Sequence, residues 1–69
     1  MNYQKVYQVV ERLLTEKEEA VFKDIKTAPE LSGMTERELF DTLKQLPSSA
    51  DSTFTYTKDK TDAVIKGLV

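Results

Sequence analysis

Residues 34–47 have the sequence MTERELFDTLKQLP, which predicts an amphipathic helix over residues 35–46. Thr35 and Glu38 match a capping box, in which the threonine hydroxyl accepts from the Glu38 amide and the Glu38 carboxylate accepts from the Thr35 amide. Apolar residues at helical spacing predict a buried stripe of Leu39, Leu43 and Leu46. Pro47 ends the helix, because proline has no amide hydrogen to donate.

Upstream of this segment, apolar residues recur at steps of three and four and predict a first helix over residues 2–15. Its stripe consists of Tyr3, Val6, Tyr7, Val10, Leu13 and Leu14. Asn2 is a suitable N-cap, since its side chain can accept from the amides of the first turn. The polar run 16–19 fits a solvated turn, an extension of the first helix or the start of the second.

Two interpretations stay open for the next segment, residues 20–27. Residues 20–22 either begin a helix that ends near residue 27 or form a short strand. In both cases two residues three apart face the core, Phe22 and Ile25. Pro29 disfavours helical geometry at the residue before it and so ends the segment. Gly33 offers the positive φ that a tight turn between helices often needs.

Thr53–Thr57 alternates hydroxyl and aromatic residues with a period of two, which predicts a strand with Phe54 and Tyr56 on one face. The predicted hairpin covers residues 53–58 and 62–68, joined by a polar tip. A lone hairpin is not stable in water, so this one is expected to pack on the helices. The sequence therefore predicts one α+β domain over residues 1–69, with three helices (2–15, 20–27 and 35–46) and a C-terminal hairpin.

The composition excludes several classes of protein. The 69 residues include no Cys and no His, which removes disulfides, thiolate metal sites and the commonest general base. The Ser48–Ser52 loop has hydroxyls but nothing to activate them, so an enzyme, a metal site and a cofactor are not expected. No apolar run approaches the roughly 20 residues that span a bilayer. The expectation is a cytoplasmic protein without a membrane segment.

The charges are distributed unevenly along the chain. The net charge is −2, and residues 11–51 hold ten acids against six bases. Residues 52–69 hold three lysines against two aspartates, so only the hairpin is mildly basic. Strong nucleic-acid binders usually carry a basic excess on one face, and here the sequence has none overall.

The order of these elements resembles the winged helix-turn-helix superfamily. The resemblance is carried by Phe22–Ile25, the turn Pro29–Met34, the helix Thr35–Leu46 and the hairpin Phe54–Val69. In pattern the chain is also similar to the small winged-helix proteins associated with dissimilatory sulphite reductase. They share a Phe…Asp step, a Pro…Met turn and an Arg-Glu helix start. The resemblance implies that Thr35–Leu46 is the recognition helix and that Lys58–Asp62 is the wing.

The leading functional hypothesis is a small DNA-binding or DNA-associated regulatory protein that contacts nucleic acid weakly. The recognition helix and the basic wing supply its candidate contacts, which are Arg37, Lys44, Gln45, Lys58, Lys60 and Lys66. On the helix, however, Asp41 lies four residues after Arg37 and three before Lys44, so it can pair with either. The solvated, ion-paired face is thus an open alternative to a DNA-reading face.

A second hypothesis is a winged-helix protein–protein interaction module, an accessory or regulatory subunit without DNA binding. It is motivated by the acidic middle of the chain, which includes the recognition helix. The partner is then a protein rather than duplex DNA, and the domain is a monomer or a homodimer. Most aromatic residues are expected in the core, with Tyr3 or Tyr56 as the exception, because a phenol favours one wet end.

Overall fold

The computed structural model describes residues 3–69 of the chain. Its α-helices are α1 (Tyr3–Lys17), α2 (Phe22–Lys26) and α3 (Glu36–Gln45), with a short 3-10 helix at Pro29–Leu31. Its strands are β1 (Ala20–Val21), β2 (Thr53–Tyr56) and β3 (Thr61–Ile65). The strands form one antiparallel sheet in the order β1–β3–β2. The predicted α+β class with three helices is confirmed, and the arrangement is compatible with a winged helix.

The core lies between the three helices and one face of the sheet. Its buried residues come from every helix, from β1 and β3 and from two residues next to helix ends, Ala28 and Leu46. They are Val6, Val9, Val10, Leu13, Ala20, Phe22, Ile25, Ala28, Leu31, Leu39, Phe40, Leu43, Leu46, Ala63 and Ile65. The sequence stripe of α1 omitted Val9, which is only 1% exposed. Tyr3 and Tyr7 are only partly buried. The buried face of α1 is therefore centred nearer Val9 than the predicted stripe, although the spacing of Val6, Val9 and Leu13 carried that signal.

The first helix runs two residues beyond its predicted end, and the predicted cap Asn2 lies outside the described residues. Glu18 ends α1 with a φ of 67°, and its amide donates to the Leu14 carbonyl at 3.0 Å. Glycine usually occupies this left-handed position after a helix, because other residues meet a steric penalty there. The positive φ expected at Gly33 is wrong, because no glycine of the described chain adopts one.

The segment predicted as 20–27 contains both of the structures left open for it. Ala20 and Val21 pair with Ile65 and Val64 of β3, and α2 begins immediately afterwards at Phe22. A strand of two residues has no stability of its own, so it forms only because β3 offers a hydrogen-bonding partner. Phe22 and Ile25 are both buried, as the sequence predicted.

Helix α3 begins and ends where its local signals placed it. The Thr35 hydroxyl accepts from the Glu38 amide at 3.1 Å, which confirms the N-cap. The Glu38 carboxylate accepts from the Thr35 hydroxyl at 3.1 Å, where the capping box predicted the Thr35 amide. The predicted bounds 35–46 differ from the observed helix only by the two cap residues.

The hairpin is shorter than predicted at the end of each strand. β2 ends at Tyr56 rather than residue 58, and β3 ends at Ile65 rather than residue 68. Beyond Ile65 the Lys66 amide donates to the Ser52 hydroxyl, and the Gly67 carbonyl accepts from the Ser49 amide at 2.8 Å. The chain therefore leaves the β2 ladder at Lys66 and pairs with the loop before β2.

No helix within residues 3–69 has both the length and the hydropathy needed to cross a membrane.

Candidate functional site

The surface where α3 faces β2 is built from three aromatic side chains. Strand alternation puts Phe54 and Tyr56 on the sheet face that is turned towards α3. The ring of Phe40 meets that of Phe54 edge to face, with centroids 6.2 Å apart, and that of Tyr56 at 5.3 Å. The sequence placed Phe40 beside the buried stripe of α3 and did not assign it this contact, which depends on the distance between helix and strand.

Arg37 joins α3 to this aromatic group. Its Nε lies 3.3 Å from the Asp41 carboxylate, one of the two pairings that the sequence left open for Asp41, and its Cζ lies 5.2 Å from the centre of the Tyr56 ring. Hydrogen bonding to the Tyr56 side chain and then the charge of Asp41 raise the pKa of the Arg37 guanidinium. The guanidinium also lies over the face of the Tyr56 ring, a cation–π contact that adds to the ion pair.

Lys44 makes a second contact of the same kind. Its Nζ lies 5.7 Å from the centre of the Phe40 ring. Asp41 thus pairs with Arg37. Lys44, which lies three residues after Asp41 and could also have paired with it, contacts the Phe40 ring instead. Gln45, the third candidate on this helix, is exposed at the end of α3.

An open cleft of about 200 Å³ lies on this surface, lined by Arg37, Phe40, Asp41, Lys44 and Tyr56. Pockets for drug-sized ligands measure roughly 300–1,000 Å³ and enclose most of the ligand, so this cleft suits one or two side chains of a larger partner. Tyr56 is 45% exposed and is a large apolar side chain at the surface. Of the two tyrosines expected to be partly solvent-exposed, Tyr3 and Tyr56, Tyr56 is the more exposed.

The tip of the hairpin presents two further candidates, Lys58 and Lys60, both exposed. The turn is held by Thr57, whose hydroxyl accepts from the Lys60 amide at 2.9 Å and donates to the Lys60 carbonyl at 3.0 Å. Within residues 3–69 neither ammonium group takes part in an ion pair. The tip therefore holds two cations available to an outside partner.

Lys66 lies apart from the other candidates. Its Nζ is 2.6 Å from the Glu19 carboxylate, next to the pairing of Ala20 with Ile65. This position is at the end of β3 remote from the tip. The six candidate residues therefore occupy three places: Arg37, Lys44 and Gln45 on α3, Lys58 and Lys60 at the tip, and Lys66 at the base of the hairpin.

Residues 3–69 contain no cluster of three or more His, Cys, Asp or Glu side chains placed to hold a metal ion. The Ser49 hydroxyl is buried and without a hydrogen-bond partner, and it would lie 3.7 Å from a methyl group placed on Gly67.

Comparison of the chain with models of protein families, with curated proteins and with solved structures finds no match. Inference of function therefore depends on the geometry and chemistry of the chain's own residues.

Proposed function

We propose that this domain is a winged-helix protein-interaction module, an accessory or regulatory subunit that binds a protein partner through the surface between α3 and β2. The observation that carries the proposal is the cleft in which Tyr56 remains 45% exposed, with Arg37 over its ring and Lys44 in the same lining. Tyrosine and arginine are enriched at protein interfaces and dominate their binding energy, because they combine a large apolar area with polar contacts.

The charges of α3 favour a protein over duplex DNA. The helix carries Glu36, Glu38 and Asp41 against two bases, Arg37 and Lys44. A helix in the major groove needs free donors for base edges and phosphates. Here the Arg37 guanidinium already donates to the Asp41 carboxylate, and the carboxylates of the helix would face phosphate oxygens. A protein surface with mixed charge suits such a face better.

The test is affinity capture with the purified domain, followed by titration calorimetry with the purified captured protein. We expect Arg37→Ala and Tyr56→Ala each to weaken binding about tenfold or more, since interface anchors of these types typically cost over about 1.4 kcal/mol. Lys23→Ala is the matched control, because Lys23 is exposed on α2, which directly follows β1 at the edge of the sheet opposite to β2. A partner whose affinity is unchanged by both variants, or the lack of any partner, would reject the proposal.

Weak DNA binding through the hairpin tip is a second candidate, favoured by the unpaired Lys58 and Lys60. Lys66, which the sequence grouped with them, is held by Glu19. Two phosphate contacts predict a slope of about −1.8 for log affinity against log salt, at about 0.9 per neutralised phosphate.

Fluorescence anisotropy with a mixed-sequence duplex at low salt tests this candidate. The double variant Lys58→Ala with Lys60→Ala is expected to abolish the salt dependence, and Lys23→Ala is expected to keep it. Binding that survives the double variant, or no binding to the unaltered domain, excludes the tip as a DNA contact.

A further inference from the structure

Strand β2 leaves one edge of the sheet open. In the order β1–β3–β2 its only neighbour within residues 3–69 is β3. Natural edge strands are usually blunted by charges, proline, bulges or short length. The strand is short, with four residues, but Thr53–Tyr56 contains no charged residue and no proline, and the nearest lysine, Lys58, lies beyond its end. The edge is therefore a template on which another strand can pair.

The ladder determines which backbone groups face this open edge. The Thr57 amide donates to the Lys60 carbonyl at 2.7 Å, so these two residues form a hydrogen-bonded pair. Antiparallel pairs alternate between hydrogen-bonded and non-hydrogen-bonded types. By this alternation Thr55 is bonded to Asp62, whereas Phe54 and Tyr56 turn their amides and carbonyls away from β3. Two donors and two acceptors thus point outward.

The cleft of α3 lies beside these outward groups. Phe54 and Tyr56 contact Phe40 of α3, so the open edge and the cleft share a wall. Every second side chain of an added strand would point to the α3 face of the sheet. The charged groups of the cleft are two cations, Arg37 and Lys44, against one carboxylate, Asp41. This excess of one positive charge complements an acidic side chain.

We propose that an extended segment of the protein partner adds to the open edge of β2 as a fourth strand and places an acidic side chain in the cleft, next to Lys44 and Arg37. The inference rests on the proposed function and specifies its binding mode. Main-chain hydrogen bonds to Phe54 and Tyr56 supply affinity, and the cleft selects the side chain, as in other cases of β-strand addition.

The probe is a pooled library of acetylated and amidated heptapeptides. Threonine occupies the odd positions, the central residue is Asp or Glu, and the two remaining positions hold Val, Ile, Leu, Phe or Tyr. A matched library has Lys at the centre. Amide hydrogen exchange by NMR is measured on the full chain, with the Thr55 amide as an internal reference because it is already bonded to β3.

At millimolar peptide we expect the acidic library to slow exchange at the Phe54 and Tyr56 amides about tenfold, with little change at Thr55 and with the lysine library much weaker. Equal protection by both libraries, or none by either, overturns the inference. Shifts confined to Lys58 and Lys60 also overturn it, since they show attraction to the tip alone.

Two pairs of variants separate the backbone contact from the charge contact. Tyr56→Pro removes the amide hydrogen that points outward, and because this hydrogen makes no bond to β3, the ladder with β3 is kept. Tyr56→Ala removes only the ring. We expect the proline variant to bind the acidic library at least about fivefold more weakly than the alanine variant, the effect of about 1 kcal/mol for one hydrogen bond. Lys44→Glu is expected to weaken binding about tenfold, and the matched Lys23→Glu less than twofold. If Tyr56→Pro does not fold, the Lys44 pair decides.

Two further outcomes keep this inference distinct from the proposed function. A captured partner that binds Lys44→Glu and Tyr56→Pro as tightly as the unaltered domain overturns the added strand and leaves the interaction module standing. Ultracentrifugation of the domain alone tests the other occupant of the edge. A dimer that Tyr56→Pro dissociates assigns the open edge to a second copy and overturns the partner segment.

Discussion

The two edges of the sheet are built differently. At the β1 edge the strand has only two residues, and the chain continues directly into α2, where Phe22 and Ile25 are buried. Ion pairs near this edge join separate elements, with Lys17 to Asp24 at 3.3 Å and Lys66 to Glu19 at 2.6 Å. At the β2 edge no strand among the described residues pairs with the outer side of β2.

Near the β2 edge, the charged side chains are arranged differently. The ion pair on this side, Arg37 with Asp41, lies within a single helix, and Lys44 lies over Phe40 of that same helix. Arg37 reaches β2 only through the half-exposed ring of Tyr56, 5.2 Å away. Charges that join distant elements are committed to the fold, whereas charges paired within one helix can be rearranged without separating elements. The β1 edge is therefore tied into the fold by ion pairs between elements, whereas the β2 edge is available for the binding role proposed above.

The variant with the largest expected effect on this contrast is Ile25→Ala, on the β1 side of the molecule. Ile25 is completely buried, so its truncation is expected to lower the free energy of unfolding by about 3 kcal/mol through lost apolar contact and a residual cavity. Urea denaturation followed by circular dichroism measures the loss. If the variant does not fold, Ile25→Val provides the milder change, with an expected loss of about 1 kcal/mol.

The comparison variant is Tyr56→Ala at the β2 edge. Because Tyr56 is 45% exposed, its loss is expected to cost only about 1 kcal/mol, the scale of its contact with Phe40. A cost equal to that of Ile25→Ala would break the contrast, since Tyr56 would then be a structural residue rather than a binding one.

The second test concerns the stability of α3, which carries the cleft. Thr35→Ala removes the N-cap and is expected to cost about 1 kcal/mol of unfolding free energy. The matched change in the same helix is Thr42→Ala, since the Thr42 hydroxyl only donates back to the Glu38 carbonyl. That change is expected to be near neutral, because such bonds slightly destabilise helices. If thermal unfolding shows equal losses of unfolding free energy for the two variants, the stabilising role of the Thr35 cap is contradicted.

The third test is a stabilising change next to β1. Glu18 has a φ of 67°, a conformation that glycine adopts without steric cost. Glu18→Gly is therefore expected to raise the unfolding free energy by about 0.5–1 kcal/mol. The control Glu16→Gly lies inside the last turn of α1 and is expected to lose about 1 kcal/mol. A destabilised Glu18→Gly would show that the Glu18 backbone is not strained.

The smallest expected effect is the acid sensitivity of the α1 side. Hydrogen bonding from Arg12 lowers the pKa of Glu30 in the folded chain, across a pair 2.6 Å long. A lowered folded pKa gives stability that is fully present above the unfolded value, near 4.5, and is lost as the pH falls through the lower folded value. Arg12→Gln is expected to remove this part of the loss of unfolding free energy at acid pH.

Urea midpoints at neutral pH and through the acid range below 4.5 measure that difference. Both side chains are exposed, so the change is expected to be small. An Arg12→Gln variant with the same acid dependence as the unaltered chain would show that the pair contributes nothing to folding.

Local signals predicted the helices and the first strand of the hairpin well. The bounds of α3 were predicted to one residue at each end, because a cap and a proline act within one helical turn. The face shared by Phe54 and Tyr56 followed from a period of two. The omission of Val9 from the α1 stripe shows the limit, since the width of a buried face depends on what packs against it.

Of the candidate contact residues, the sequence identified the two cations that line the cleft but not the cleft. Arg37 and Lys44 were selected for phosphate contact, and only the packing of α3 on β2 brought them over aromatic rings. Lys66 was grouped with the wing because it lies close in sequence, but its salt bridge connects it to Glu19, which lies far upstream in the chain.

The sequence by itself determined the positions of α1 and α3, the N-cap at Thr35 and the aromatic face of β2, because each depends on neighbours within a few residues. Tertiary structure decided that residues 20–21 form a strand, that Lys66 binds Glu19 and that one edge of the sheet stays open beside a cleft. These features depend on how separate elements pack together, and packing is a property of the whole core rather than of any segment.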